Sequence, residues 1–129
     1  MLTGRARIST GSPFEAEMGY ARAVVKDDWC FVSGVTGFDY ETMKIPDTIE
    51  DQTRQIFATI ESVLNEAAFD MSDIVRVRYI ITDTSHLAAI GPVLTEFLGE
   101  IRPAATMIVA GLIDPAMLIE VEVTALRGS

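Results

Sequence analysis

"TIEDQTRQIFATIESVLNEAAFDMSDIVRVRYIIT" (residues 48–82) changes its hydrophobic period once, and that change decides the fold class. In its first part Ile49, Ile56, Ile60, Val63, Leu64 and Ala67 fall on one stripe at helical spacing. Asp47 with Glu50, or Thr48 with Asp51, resembles a capping box at the start. The stripe is one-sided, so the helix is expected to lie on a sheet. After Asp73 the period falls to two. Val75, Val77, Tyr79 and Ile81 share one strand face, and Arg76 and Arg78 the other.

Upstream, Tyr20 to Val25 and Trp29 to Val35 are rich in aromatic and β-branched residues, with Lys26-Asp27-Asp28 between them as a turn. That pattern predicts a β-hairpin. "TGFDYETMKIPD" has Gly, Asp and Pro at loop density and is expected to be an exposed connection. Downstream, Leu87, Ile90, Leu94 and Phe97 fit a second helical stripe, cut by Gly91-Pro92. Proline is costly inside a helix and comfortable in its first turn. The expectation is a short turn near 85–90 and a helix from Pro92 to Leu98, or one kinked helix. Strands follow at Ala104–Gly111 and Met117–Leu126, and the chain leaves room for an extra first strand at Arg5–Ser9. The order predicts an α+β fold, a mixed sheet with two helices on one face.

At 129 residues the chain is expected to form one domain, residues 1–129, burying roughly two-thirds of its unfolded surface. The apolar runs are too short for a membrane span, and "MLTGRARIST" lacks the apolar region of a signal peptide. A lone cysteine, Cys30, agrees with a reducing compartment, so the expected location is cytoplasmic. A net charge of −9 argues against a nucleic-acid partner, which calls for a clustered basic surface. One histidine and one cysteine make a conventional zinc site unexpected, and no cofactor motif is present. Cys30 reads as core, His86 as an exposed residue near a helix start, and Trp29 and Phe31 as core or subunit packing.

In the last strand Ile119, Val121, Val123 and Ala125 share a face, while Glu120, Glu122 and Thr124 share the other. One sheet face is therefore apolar and the opposite one carries both acids and arginines. Two readings stay open. The charged face is solvated and laced with Arg–Glu pairs, or it meets another subunit and leaves one carboxylate to serve a cleft.

"GYARAVV", "FVSGVTGF", "QTRQIFATIESVLNEAAFDMSDIVRVRYIITD", "RPAAT" and "IEVEVTAL" together resemble the RidA/YjgF family, also labelled L-PSP endoribonuclease or translation inhibitor. The resemblance implies a chorismate-mutase-like fold, a homotrimer and a small-molecule cleft at each subunit boundary. Better-known members hydrolyse enamines and imines such as 2-aminoacrylate. Their "P-A-R-S/T" turn carries an arginine that grips the substrate carboxylate; the matching position here is Ala105. Gly91 and Met107 stand where the family has an asparagine and a cysteine. Tyr20, Ser33, Gly34, Thr106 and Glu120 match, and Glu120 corresponds to the acid that orients the attacking water. Arg102, three positions upstream of Ala105 and before a proline, is expected to point elsewhere. Three functions remain: an imine or enamine deaminase acting on a less anionic compound, a non-catalytic binding or regulatory trimer, and the ribonuclease of the family label, which the acidic charge disfavours.

Overall fold

The computed structural model describes residues 4–128. Residues 1–3, which begin the segment read as lacking a signal peptide, and residue 129 lie outside the described residues. Strands β1 (Arg5–Ile8), β2 (Ala23–Lys26), β3 (Trp29–Thr36), β4 (Ile74–Ile81), β5 (Ala104–Val109) and β6 (Ile119–Leu126) form one six-stranded sheet in the order β1-β2-β3-β6-β4-β5. Helices α1 (Pro13–Met18), α2 (Ile49–Glu66) and α3 (Leu87–Leu98) complete the fold. Both β3 and β4 run antiparallel to β6, so they are parallel to each other, joined by α2. The β4–β5 pair is parallel and joined by α3. Parallel neighbours need such helical crossovers. The mixed α+β sheet read from the sequence is therefore present.

Helix α2 starts at Thr48, whose side chain accepts from the Asp51 backbone N–H at 3.2 Å, which settles the choice between the two caps. Its inner face buries Ile56, Phe57, Ile60 and Leu64 against Val35, Val77, Val121 and Val123 of the sheet. Phe57 stacks on Phe97 of α3 at 4.9 Å. Gln52 is buried too. Its amide nitrogen donates to the carbonyls of Pro46 and Ala116, each at 2.9 Å, and its oxygen accepts from Leu118 N at 3.0 Å. One polar side chain thus ties the start of α2 to the approach of β6.

Three expectations need correction. Val75 does not share the core face: the β4–β6 register slips between Ile74 and Arg76, so Val75 is 41% exposed and Ile74, at 3%, takes the core position. A bulge adds a residue and reverses the alternation behind it. The 36–47 connection is packed, not exposed, with Phe38 and Tyr40 buried and an Asp39–Lys44 bridge closing it. Of the two alternatives for the second helical stripe, the single helix is the one present: α3 runs from Leu87 to Leu98 with Pro92 inside it, after a short 3-10 turn at Thr84–His86. A third helix, α1, was not expected. Ser12 caps it, Pro13 opens it, and Gly19 ends it at φ 72. Smaller differences are a hairpin loop of two residues, Asp27-Asp28, because Lys26 pairs with Trp29, and later starts for β2 and β6. His86 is half-buried and shares a hydrogen bond with Thr82 at 3.2 Å. Cys30 is core, as read.

Candidate functional site

The two carboxylates of β6 have different surroundings. Glu122 faces Arg78 in register and is bound to its Nε at 2.7 Å. Glu120 sits opposite Thr36 on β3 and Ile80 on β4, and forms no ion pair among the described residues. Burial raises the Glu120 pKa above the ordinary 4.5, the Glu122 charge adds to the rise, and Arg22 opposes it. The side chain rests on Gly34, where a Cβ would come within 2.6 Å of its Cδ. Ser33 and Gly34 lie where the β3–β6 register shifts, between Val32 and Val35. That irregularity makes room for an acid on an otherwise regular strand pair.

Beneath this bulge lies a cation the sequence reading passed over. Arg22 is fully buried, with 0% exposure. Its Nη1 donates to the Gly34 carbonyl at 2.6 Å and to Ser33 Oγ at 3.2 Å. Its Nη2 reaches the Tyr20 hydroxyl at 3.5 Å, the limit of a hydrogen bond. Its guanidinium lies 4.6 Å from the Tyr40 ring centre and 5.6 Å from that of Tyr20. Nε has no hydrogen-bond partner and stands 3.8 Å from Glu15 Oε2 on α1. Burial alone would raise the Glu15 pKa. Hydrogen bonds from Thr10 and Ser9, with the Arg22 charge, outweigh it and hold Glu15 below the ordinary value. "GYARAVV" contained the signal, an arginine between apolar strand residues.

Tyr20, Ser33, Gly34 and Glu120 therefore come together, joined through Arg22. Thr106 lies in register with Arg78 and so level with Glu122, on the same sheet face as Glu120 but across β4 and two residues along, about 12 Å away at ordinary strand spacing. Ala105 and Met107 pair with Val77 and Tyr79, which face the helices. They belong to the opposite face. Gly91 lies one turn from Thr95 on α3, its carbonyl accepting from Thr95 Oγ1 at 3.1 Å. Ala105, Thr95, Leu98 and Tyr79 line a hollow of about 390 Å³ at the open edge of β5. Burial pushes the Tyr79 phenol up to about 12, which keeps it neutral. Arg102, expected to point elsewhere, lines this same hollow. Its backbone has φ 51 and its N–H is held by the Leu98 carbonyl at 2.8 Å. Within one chain the seven ligand positions and Glu120 thus fall on two faces of the sheet.

The charged face also carries exposed aromatics. Trp29 and Phe31 stack at 5.9 Å with planes 9° apart. Phe31, Ser33, Arg76, Arg78 and Glu122 surround a hollow of about 380 Å³. Among the described residues no helix is long and apolar enough to cross a membrane.

A mixed sheet with helices on one face, and a free carboxylate seated on a bulge of the other, defines an α+β protein with a charged, partly apolar open face. The sequence profile of the family described as Endoribonuclease L-PSP matches residues 10–127, and the chain belongs to this RidA/YjgF family. A Mycobacterium tuberculosis protein of the YjgF/YER057c/UK114 family is similar at 36% identity and a TM-score of 0.87, over 95% of this chain and 99% of the other. RidA from an Antarctic Psychrobacter is 25% identical with a TM-score of 0.80, over 98% of both chains. An uncharacterised Streptomyces coelicolor protein is 32% identical over 124 residues, 95% of this chain and 92% of its own length.

Proposed function

We propose that this chain is a homotrimeric small-molecule hydrolase that adds water to a C=N bond, with Glu120 as the residue that orients and deprotonates the water. The observation that carries the reading is the Glu120 carboxylate: half-buried, free of an ion pair, raised in pKa and seated on Gly34. A base with a raised pKa works closer to neutral pH. Water attacks the imine carbon and gives its proton to Glu120. Glu120 returns that proton to the nitrogen to give the neutral carbinolamine. It then takes the carbinolamine hydroxyl proton as the carbonyl forms and delivers it to the departing nitrogen, so the C–N bond breaks and ammonia leaves a carbonyl product. Tyr20 and Ser33 supply hydroxyls beside that path.

Two features support a site shared between copies. Glu120 and Ala105 lie on opposite faces of one chain, so a single ligand meets both only where two chains adjoin. The Trp29–Phe31 stack and the apolar Val75, Ile108 and Val109 are exposed, as an uncovered interface would be. Ala105 and Met107 give the β5 side an apolar wall, which suits an imine or enamine with an apolar group in that place better than a 2-imino carboxylate.

The experiment is a panel of amine-oxidase-generated imines, with semicarbazide trapping what the protein leaves, together with light scattering. The expected mass is about three times 14.1 kDa, the homotrimer that the family resemblance implies. Expected turnover is highest for apolar imines and is lost in Glu120→Gln. A monomer, or binding without turnover of any imine, would overturn the reading. Turnover of 2-iminopropanoate that disappears in Arg102→Ala would transfer the carboxylate grip to Arg102.

A further inference from the structure

We infer that Arg22 is a positioning residue for Glu120, acting through the Ser33–Gly34 bulge, with Glu15 as the counter-ion that sets how much of its charge Glu120 feels. The inference rests on Glu120 being the reactive carboxylate of the proposed function.

Three observations converge on it. First, Arg22 grips the bulge from both ends. Its side chain donates to Gly34 O at 2.6 Å, and its own carbonyl accepts from Ser33 N at 2.9 Å and Ser33 Oγ at 3.0 Å. Secondly, Glu120 touches that same bulge, since no Cβ fits between Gly34 and its carboxyl. A shift of the Gly34 peptide is therefore a shift of the surface on which the carboxyl rests. Thirdly, a fully buried arginine with an unpartnered Nε is expensive for a fold to keep. An apolar side chain of similar volume would fill the core more cheaply. Two bulge contacts, two tyrosine faces and a carboxylate at 3.8 Å hold the cation where its field reaches Glu120.

The charged and titratable groups round Glu120 are few. Glu122 on its own strand repels it but is bound to Arg78 of β4. Arg76 lies further along β4. Arg22 lies behind Gly34, with Glu15, Tyr20 and Tyr40 at its back. Removing Arg22 takes away the attraction that favours ionised Glu120. Removing the Glu15 charge leaves that attraction less compensated. The two substitutions act on Glu120 in opposite directions, whereas loosening the core would act in one.

The test is an NMR titration of full-length protein carrying carboxyl-13C glutamate, with the Glu120 resonance assigned by its loss in Glu120→Gln. Arg22→Gln is expected to move the Glu120 midpoint up, Glu15→Gln to move it down, and Arg22→Lys to leave it nearest wild type. Folded variants with an unmoved midpoint would reduce Arg22 to core filling and overturn the inference. Shifts of the same sign in both variants would also overturn it. If Arg22→Gln does not fold, Glu15→Gln decides alone: a downward shift supports the inference, and no shift or an upward one defeats it. The titration reads Glu120 itself, so it stands apart from whether an imine is ever turned over.

Discussion

Glu120 occupies the space that a side chain on Gly34 would need. A Cβ there would lie 2.6 Å from Glu120 Cδ and 2.8 Å from Oε1. Gly34 has no left-handed backbone to explain it; the requirement comes from the neighbour alone. The atoms in the way belong to the free end of a flexible side chain, so the acid and not the sheet would yield.

Gly34→Ala is therefore expected to fold and assemble like wild type, at a cost well below the roughly 1–3 kcal/mol of overpacking a rigid core. It swings the carboxyl off its seat, so turnover or ligand binding should fall at least tenfold. Thermal melting and a single activity or calorimetric assay separate the two effects.

Gly37→Ala should behave in the opposite way. Its Cβ would meet Gln52 Cβ at 2.6 Å and the Gln52 backbone Cα at 3.0 Å, in the tight packing of α2 on the sheet. Backbone cannot rotate aside, so the helix must lift. The expected loss is about 1–3 kcal/mol in urea denaturation, with the residual activity of the folded fraction unchanged.

Two carboxylates give the stability opposite pH dependences. Glu120 has a folded pKa above its ordinary 4.5, so the folded state binds more protons than the unfolded one above pH 4.5, and stability falls as pH rises through the folded pKa. Glu15 has a folded pKa below 4.5, so its contribution is present above that value and is lost as pH falls through the folded pKa. At pH 7 Glu120→Gln should melt above wild type and Glu15→Gln below it. Both differences should shrink as the pH is taken below 4.5. Melting curves from pH 3 to 8 check the signs, and a Glu120→Gln that melts lower at pH 7 would contradict the environment described for it.

The period change at Asp73 made α2, β4 and the layering of the sheet legible before any coordinates. What escaped was local. Val75 matched the alternation, but a bulge is one extra residue, and periodicity counts through it. Ser12-Pro13 and Gly19 carried the start and stop of α1, yet six residues are too few to display a stripe. Gln52 and Thr53 are polar and so were left out of the apolar stripe of α2, although both are buried, with Gln52 satisfied from 46, 116 and 118. The same blindness hid Arg22. Its partners Glu15, Gly34 and Tyr40 are spread over 26 residues of chain, and a lone arginine beside a hairpin reads as solvated until they are seen around it. Glu120 was legible as an acid in an apolar strand. That Ala105 and Met107 face away from it was not, because which face a residue of β5 presents depends on its register with β4.

That division of faces gives the sharpest test of a site built between copies. Glu120→Gln removes the base on one side of the boundary. Ala105→Trp fills the hollow beside β5 on the other, where Ala105 is exposed and has space before it. Each variant alone is expected to remain trimeric and inactive. Unfolding the two together and refolding them as a mixture scrambles the subunits. In any mixed ring, one boundary joins a chain with intact Glu120 to a chain with intact Ala105. About three quarters of random trimers are mixed and about one boundary in three is then whole, so the mixture should recover about one quarter of wild-type turnover or ligand capacity. A site contained in one chain would recover nothing, because no single chain in the mixture carries both residues. Recovery that rises with subunit exchange, followed over time after mixing the folded variants, would tie the activity to the boundary itself.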